Sequence, residues 1–118
     1  MKKNLLFVWL LLMTVNFSFA QAPAIEWAKC YGGTKNDYAE SIKQTNDGGY
    51  IVAGYSISND GDVTGNHDTS DYWIVKLDDT GFIQWQKSLG GTSNDEANSI
   101  QQTNDGGYIV AGSSKSND

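Results

Sequence analysis

The stretch "TNDGGYIVAG" occurs twice, at residues 45–54 and again at 103–112. Its two halves carry different information. "NDGG" joins an Asn and an Asp, whose short side chains bond nearby backbone, to two glycines that accept positive φ. That is hairpin-turn chemistry. "YIVAG" is β-branched, aromatic and apolar, which suits a strand. A turn followed by an inner strand, written twice without a change, predicts two hairpins of one kind. The nearly continuous apolar run predicts burial on both faces, as when sheets stack.

The match extends on both sides of the decapeptide. Trp27 aligns with Trp85, Gly32 with Gly90, Asp47 with Asp105 and Asp60 with Asp118, always at an offset of 58. Residues 27–60 and 85–118 align over 34 positions without a gap, and 25 are identical. A fixed period of this size marks propellers, solenoids or arrays. Within one period four strand-like runs are expected, at 39–45, 50–56, 71–78 and 82–89, with the first two recurring at 97–103 and 108–114. A lone outer strand is expected at 24–31, where Ile25, Trp27, Lys29 and Tyr31 match Ile83, Trp85, Lys87 and Leu89 as one strand face. "DTG" at 79–81 supplies the turn between the third and fourth runs.

Four antiparallel strands per period is the composition of a propeller blade. The fold class is therefore all-β: antiparallel four-stranded blade repeats of 58 residues, a partial β-propeller of about 1.7 blades. The organisation expected is a lone outer strand at 24–31, a full blade over 39–89 and a partial blade over 97–114. An N-terminal outer strand fits a propeller closed by its first strand better than an open solenoid. Propellers usually have about 4–8 blades, and the last copy stops inside the repeat at "SSKSND". The chain therefore reads as the N-terminal part of a longer product. Two such units alone would leave apolar faces and an edge strand open, and are expected to be marginal in stability, self-associating or aggregation-prone.

Residues 1–20 read as a signal peptide: "MKK", the apolar run "LLFVWLLLMTV", and "SFA" before a cut after Ala20. The run is short for a membrane span, which needs about 20 residues; an uncleaved anchor is the alternative. The remaining chain has six lysines, no arginine and fourteen acids, a formal charge of −8 against −6 for the whole chain. A field of that sign repels phosphate backbones and excludes nucleic acid and anionic membrane as partners. The one cysteine, Cys30, cannot form an internal disulfide, and its counterpart is Ser88.

The pieces "W-x-K-x-x-GGT", "DGGYIVAG", "SNDGDVTG" and "DYWIVKLDDTGFIQWQKSLGG" resemble repeats of large secreted proteins of Bacteroidetes-type bacteria. The resemblance covers residues 25–118. It implies a β-propeller-like architecture and export by type IX secretion through a C-terminal sorting domain. Thr-x-Asp-x-Gly at 45–49 and 103–107 is similar to part of an Asp-box, with Val52 and Val110 where an aromatic closes that motif. Asp78-Asp79-Thr80-Gly81-x-x-x-Trp85 is similar to the tryptophan-docking motif of quinoprotein propellers, one residue short between Asp and Gly. That likeness implies that Trp85, and by repeat Trp27, packs between blades.

Candidate chemistry concentrates in "NDGDVTGNHDTSD" at 59–71. Asp60, Asp62, Asp68 and Asp71 offer hard oxygen ligands of the kind Ca²⁺ takes, and Gly61 and Gly65 let the loop curl. The spacing departs from an EF-hand, and a plain solvated connection is the competing reading. His67, beside Asp68 and near Ser70, suggests a triad only on paper, because triads assemble from distant segments. No catalytic, cofactor-binding or metal residue is assigned. Trp27, Tyr50, Trp73, Trp85 and Tyr108 either pack between sheets or stack on sugars. Asp47 and Asp105 are expected to hold their turns. The function expected is a non-enzymatic exported module, a scaffold, adhesin or binding surface; the alternative is part of a carbohydrate-binding or glycan-active propeller protein. Expected partners are an extracellular glycan or protein, further blades of a longer chain, or a second copy.

Overall fold

The computed structural model describes residues 21–118, so the expected signal peptide lies outside the described residues. Among those described, no helix is long and apolar enough to cross a membrane. The protein is all-β. A four-stranded antiparallel sheet has the order β1 (Asp37–Gln44), β2 (Tyr50–Ser56), β3 (Asp71–Leu77), β4 (Ile83–Leu89). A two-stranded antiparallel sheet pairs β5 (Asp95–Gln102) with β6 (Tyr108–Ser114).

The decapeptide forms the hairpin its composition predicts, twice. Gly48 (φ 85) and Gly106 (φ 87) take the left-handed position. Thr45 N donates to Gly49 O at 2.9 Å and Gly48 N to Thr45 O at 2.9 Å; the second turn repeats both bonds at 2.9 and 3.0 Å. Asp47 and Asp105 each accept a threonine hydroxyl and a glycine N–H within their own turn. These aspartates do the turn-holding expected of them.

Strand limits shift where side chains tie off the ladder. β1 and β5 begin two residues earlier than expected, at Asp37 and Asp95, which pair with Ser56 and Ser114. β3 ends at Leu77 because Asp78 turns away and accepts Thr80 N, Thr80 Oγ1 and Phe82 N at 2.8–2.9 Å. Over 24–31 no ladder forms. A fourth strand hydrogen-bonds to a third, and no third strand lies beside this one among the described residues.

Bulges place side chains in a way that simple alternation misses. β1 carries one between Ala39 and Ser41, and β5 carries the same one between Ala97 and Ser99. The extra residue puts Ala39 with Ile42, and Ala97 with Ile100, on one face. Gly54 and Gly112 sit opposite, where an added Cβ would lie 1.8 and 2.1 Å from the partner carbonyls of Tyr38 and Glu96. A third irregularity lies between Lys76 and Leu77, so Trp85 pairs with Lys76 but Ile83 pairs with Leu77. Ile83 therefore turns to the opposite face from Trp85, which corrects the expected single face of Ile83, Trp85, Lys87 and Leu89.

Two cores result. Ile51, Ala53 and Ile74 on the back of the four-stranded sheet meet Ala97 and Ile100 of the hairpin, with Tyr72, Tyr108 and Val110 around them. On the front, Trp73, Val75 and Leu77 pack with Val63 of the 57–70 connection, flanked by Trp27, Tyr31, Tyr50, Val52 and Ile83. Burial on both faces holds for β2 and β3. It fails for β6, where Ile109 is 62% exposed although its counterpart Ile51 is fully buried. The two share one decapeptide, so the neighbouring sheet sets burial, not the local sequence.

Candidate functional site

The junction between repeats is built from residues that recur at 58. Asp37 is the hub of the first copy. Its carboxylate accepts Gly33 N at 2.8 Å, the Ser58 hydroxyl at 3.2 Å and the Ser56 hydroxyl. Ser58 Oγ in turn accepts Lys35 N at 3.0 Å, and Asp60 accepts Thr34 N and Thr34 Oγ1. The second copy rebuilds the set: Asp95 accepts Gly91 N at 2.9 Å and Ser116 Oγ at 2.7 Å, Ser116 Oγ accepts Ser93 N at 3.0 Å, and Asp118 accepts Thr92 N at 3.2 Å. In both copies these bonds close "GGT" and the residue after it onto "S-x-S-N-D". The Ser114 hydroxyl and the Gly91 N–H hold the Asp95 carboxyl well below the usual carboxylate range, against the opposing effect of burial. Asp60 and Asp118 are lowered for the same reason by their threonine donors.

Between the repeats, Asp95 N donates to Ser70 O at 2.6 Å, Thr69 Oγ1 donates to Ser93 O at 2.9 Å, and Asn46 N donates to Gln102 Oε1 at 2.9 Å. Gly90 sits between two buried carboxylates: a Cβ there would lie 2.7 Å from both Asp71 Oδ1 and Asp95 Oδ2. Nothing local marks this pair, since the two aspartates are 24 positions apart. Both are sealed, at 0% and 2% exposure, so they shape the joint and do not face a substrate.

The 59–71 connection does not gather its aspartates. Asp60 binds Thr34, Asp62 Oδ2 accepts Gly32 N at 3.1 Å, and Asp71 Oδ2 accepts His67 N at 3.1 Å and faces His67 Nδ1 at 2.7 Å. Asp68 is exposed, with φ 70. Among the described residues no group of three or more His, Cys, Asp or Glu comes together in a way that could hold a metal ion. Gly61 (φ 62) and Gly65 (φ 80) do curl the loop, and fully buried Val63 pins it. His67 meets Asp71, not Asp68, and Ser70 Oγ is buried without a hydrogen-bond partner, so no nucleophile–base line forms.

The tryptophans pack as a matched pair. Trp27 meets Tyr50 edge-on at 5.9 Å, and Trp85 meets Tyr108 edge-on at 5.8 Å. Trp27 of the 24–31 segment thus meets Tyr50 as Trp85 of β4 meets Tyr108. The segment is held by Trp27 Nε1–H to Asp79 O at 3.2 Å and by Lys29 Nζ 3.3 Å above the Phe82 ring. Ile25, expected on the same packed face, is 82% exposed. Trp73 is in the front core and donates to Gln86 at 3.0 Å. Sequence reasoning overlooked two features. Lys76, at 3% exposure, reaches Asp47 at 2.9 Å and Leu77 O at 2.9 Å. Tyr38 and Tyr55 stack at 4.7 Å. The second has a readable signal: both tyrosines are lost in the other copy, as Glu96 and Ser113. Comparison of the chain with family models, with curated proteins and with solved structures gave no match.

Proposed function

We propose that the chain is a non-enzymatic, exported repeat module of propeller type, serving as a scaffold or binding surface. One observation carries this reading. The polar groups that recur at 58 are spent on fixing one repeat against its own loops, in the same pattern twice. A site for chemistry needs polar groups left free to meet a substrate. The stacked order of sheet on hairpin, and the Trp27–Tyr50 contact that matches Trp85–Tyr108, support reading each 58-residue unit as a blade. Incubation with a panel of polysaccharides, followed by product analysis, tests it. No new product is expected; cleavage of any glycan overturns the non-enzymatic reading.

A second reading, a carbohydrate-binding surface, draws on the Tyr38–Tyr55 pair. Tyr38 is 46% exposed, and the carboxylates of Glu96 and Glu40 lie close enough to raise the Tyr55 hydroxyl's pKa, after burial as the first cause. An exposed ring beside acidic hydrogen-bond acceptors suits a sugar face. On a glycan array, signal that Tyr38→Ala abolishes would favour this reading, and an array without signal would remove it.

A further inference from the structure

The molecule carries copies of the β2 and β5–β6 parts of its own internal joint as open faces. Inside the chain, Ile51 and Ala53 on the back of one repeat receive Ala97 and Ile100 on the front of the next. Among the described residues their counterparts stand uncovered. Ile109 (62% exposed) and Ala111 lie on the back of the second repeat, and Ala39 and Ile42 (57% exposed) lie on the front of the first. Residue for residue, the pairing is the same: Ile51 and Ala53 equate to Ile109 and Ala111, and Ala97 and Ile100 equate to Ala39 and Ile42. The bulges that bring the front pair to one face are the same in both strands. The two open faces therefore share side chains and strand register with the β2 and β5–β6 part of an interface the protein already makes; its β3 members, Ile74 and Tyr72, are not repeated within 95–118.

We propose that these faces join in a head-to-tail contact between copies of this chain, with Ile109 and Ala111 of one copy seated on Ala39, Ile42 and Val52 of the next. The inference rests on the scaffold reading. Three further features fit it. The front face holds an apolar hollow lined by Ala39, Val52, Trp73, Val75 and Leu77, which is where the counterpart of Ile51 would insert. Segment 24–31 rests on Tyr50 and Phe82 and leaves Ile42 open, so it does not block the contact proposed. Gln44, the counterpart of Gln102, can accept from Asn104 N of the neighbour as Gln102 accepts from Asn46 N within the chain. The contact lacks the links that the 57–70 connection gives the internal joint, so it is the weaker of the two. A contact between two different faces is heterologous, and it propagates into rings or open rows.

Sedimentation velocity on the purified chain, over about 1–200 µM, tests this. Association that grows with concentration is expected. Ile42→Lys and Ile109→Lys should each abolish it, each weakening the contact by about thirtyfold or more, as loss of a central apolar anchor does. Mixing the two variants is the decisive arm. Each keeps one good face, so a one-to-one complex that grows no further supports the proposal. A monomeric wild type at every concentration overturns it, as does a dimer that either lysine variant leaves intact, or a mixture that stays monomeric. Far-UV circular dichroism on each variant checks that the sheet is retained. A monomeric chain with full sheet signal sinks this contact alone and leaves the scaffold reading standing, whereas cleavage in the polysaccharide screen sinks that reading.

Discussion

Ile51→Ala and Ile109→Ala make the same chemical change at the same place in the same ten-residue sequence, yet they should differ severalfold in cost. Ile51 is fully buried between the sheet and the hairpin, and Ile109 is 62% exposed. Truncation to alanine removes three carbons, worth ~0.8 kcal/mol each when buried, or ~2.4 kcal/mol of transfer energy. A cavity contribution raises this to ~3–4 kcal/mol at Ile51, because the joint is clamped by hydrogen bonds on both sides and cannot collapse. At Ile109 the exposed fraction scales the transfer figure to under ~1 kcal/mol, with little cavity left behind. For a domain of this size each kcal/mol moves Tm by about 4–8 °C, so Ile51→Ala should lose about 12 °C or more and Ile109→Ala only a few degrees. The assay is thermal and urea unfolding followed by tryptophan fluorescence, at ~1 µM to keep copies apart. Equal losses at the two sites would refute the reasoning, because they would mean that Ile51 has no neighbour that Ile109 lacks.

Gly90→Ala should be strongly destabilising, by about 2 kcal/mol or more, since its new methyl would lie 2.7 Å from two buried carboxylate oxygens; Gly65→Ala, at φ 80 with nothing within 4 Å, should cost only about 1 kcal/mol, and urea midpoints distinguish them. Acid should unfold the protein: Asp47, Asp60, Asp78, Asp95, Asp105 and Asp118 are all held below their usual range by hydrogen bonds, so the unfolded chain binds more protons than the folded one once pH drops. Stability is then full above about pH 4–5 and falls steadily below it, as a circular-dichroism titration at fixed ionic strength would record, and a flat profile to pH 2 would contradict it. A chelator should leave Tm unchanged, because Asp60, Asp62 and Asp71 are engaged with donors of their own chain; a drop of several degrees, restored by Ca²⁺, would bring back the metal reading of the 59–71 loop.

The hairpins were legible because turn and strand chemistry are local: Gly48 and Gly106, with Asp47 and Asp105, state the turn within four residues. The repeat made the stacking legible, since an apolar run in β2 has to be covered on two sides. Bulges were not legible. Nothing in "AESIKQT" marks Glu40 as the extra residue until Gly54 is placed opposite it, and that pairing is a tertiary fact. The same holds for the slip that turns Ile83 away from Trp85. The acid-rich loop misled in another way. Its composition suited a cation, but side-chain direction depends on partners far along the chain, and Asp60 and Asp62 reach back to residues 32–34. The hub aspartates, Asp37 and Asp95, were hidden because "GGT-x-N-D" and "S-x-S-N-D" look like loop filler until the two segments meet. Lys76 looked like one polar residue in an apolar strand, and its partner Asp47 lies 29 positions away.

Methyl–methyl NOE spectroscopy on the chain, with isoleucine and alanine methyls labelled, reaches the central claim most directly. Cross-peaks should link Ile51 and Ala53 to Ala97 and Ile100, joining residues of two repeats across one buried face. A spectrum in which those methyls see only their own repeat, or none beyond their own strand, would contradict the stacked arrangement on which the scaffold and self-association readings depend.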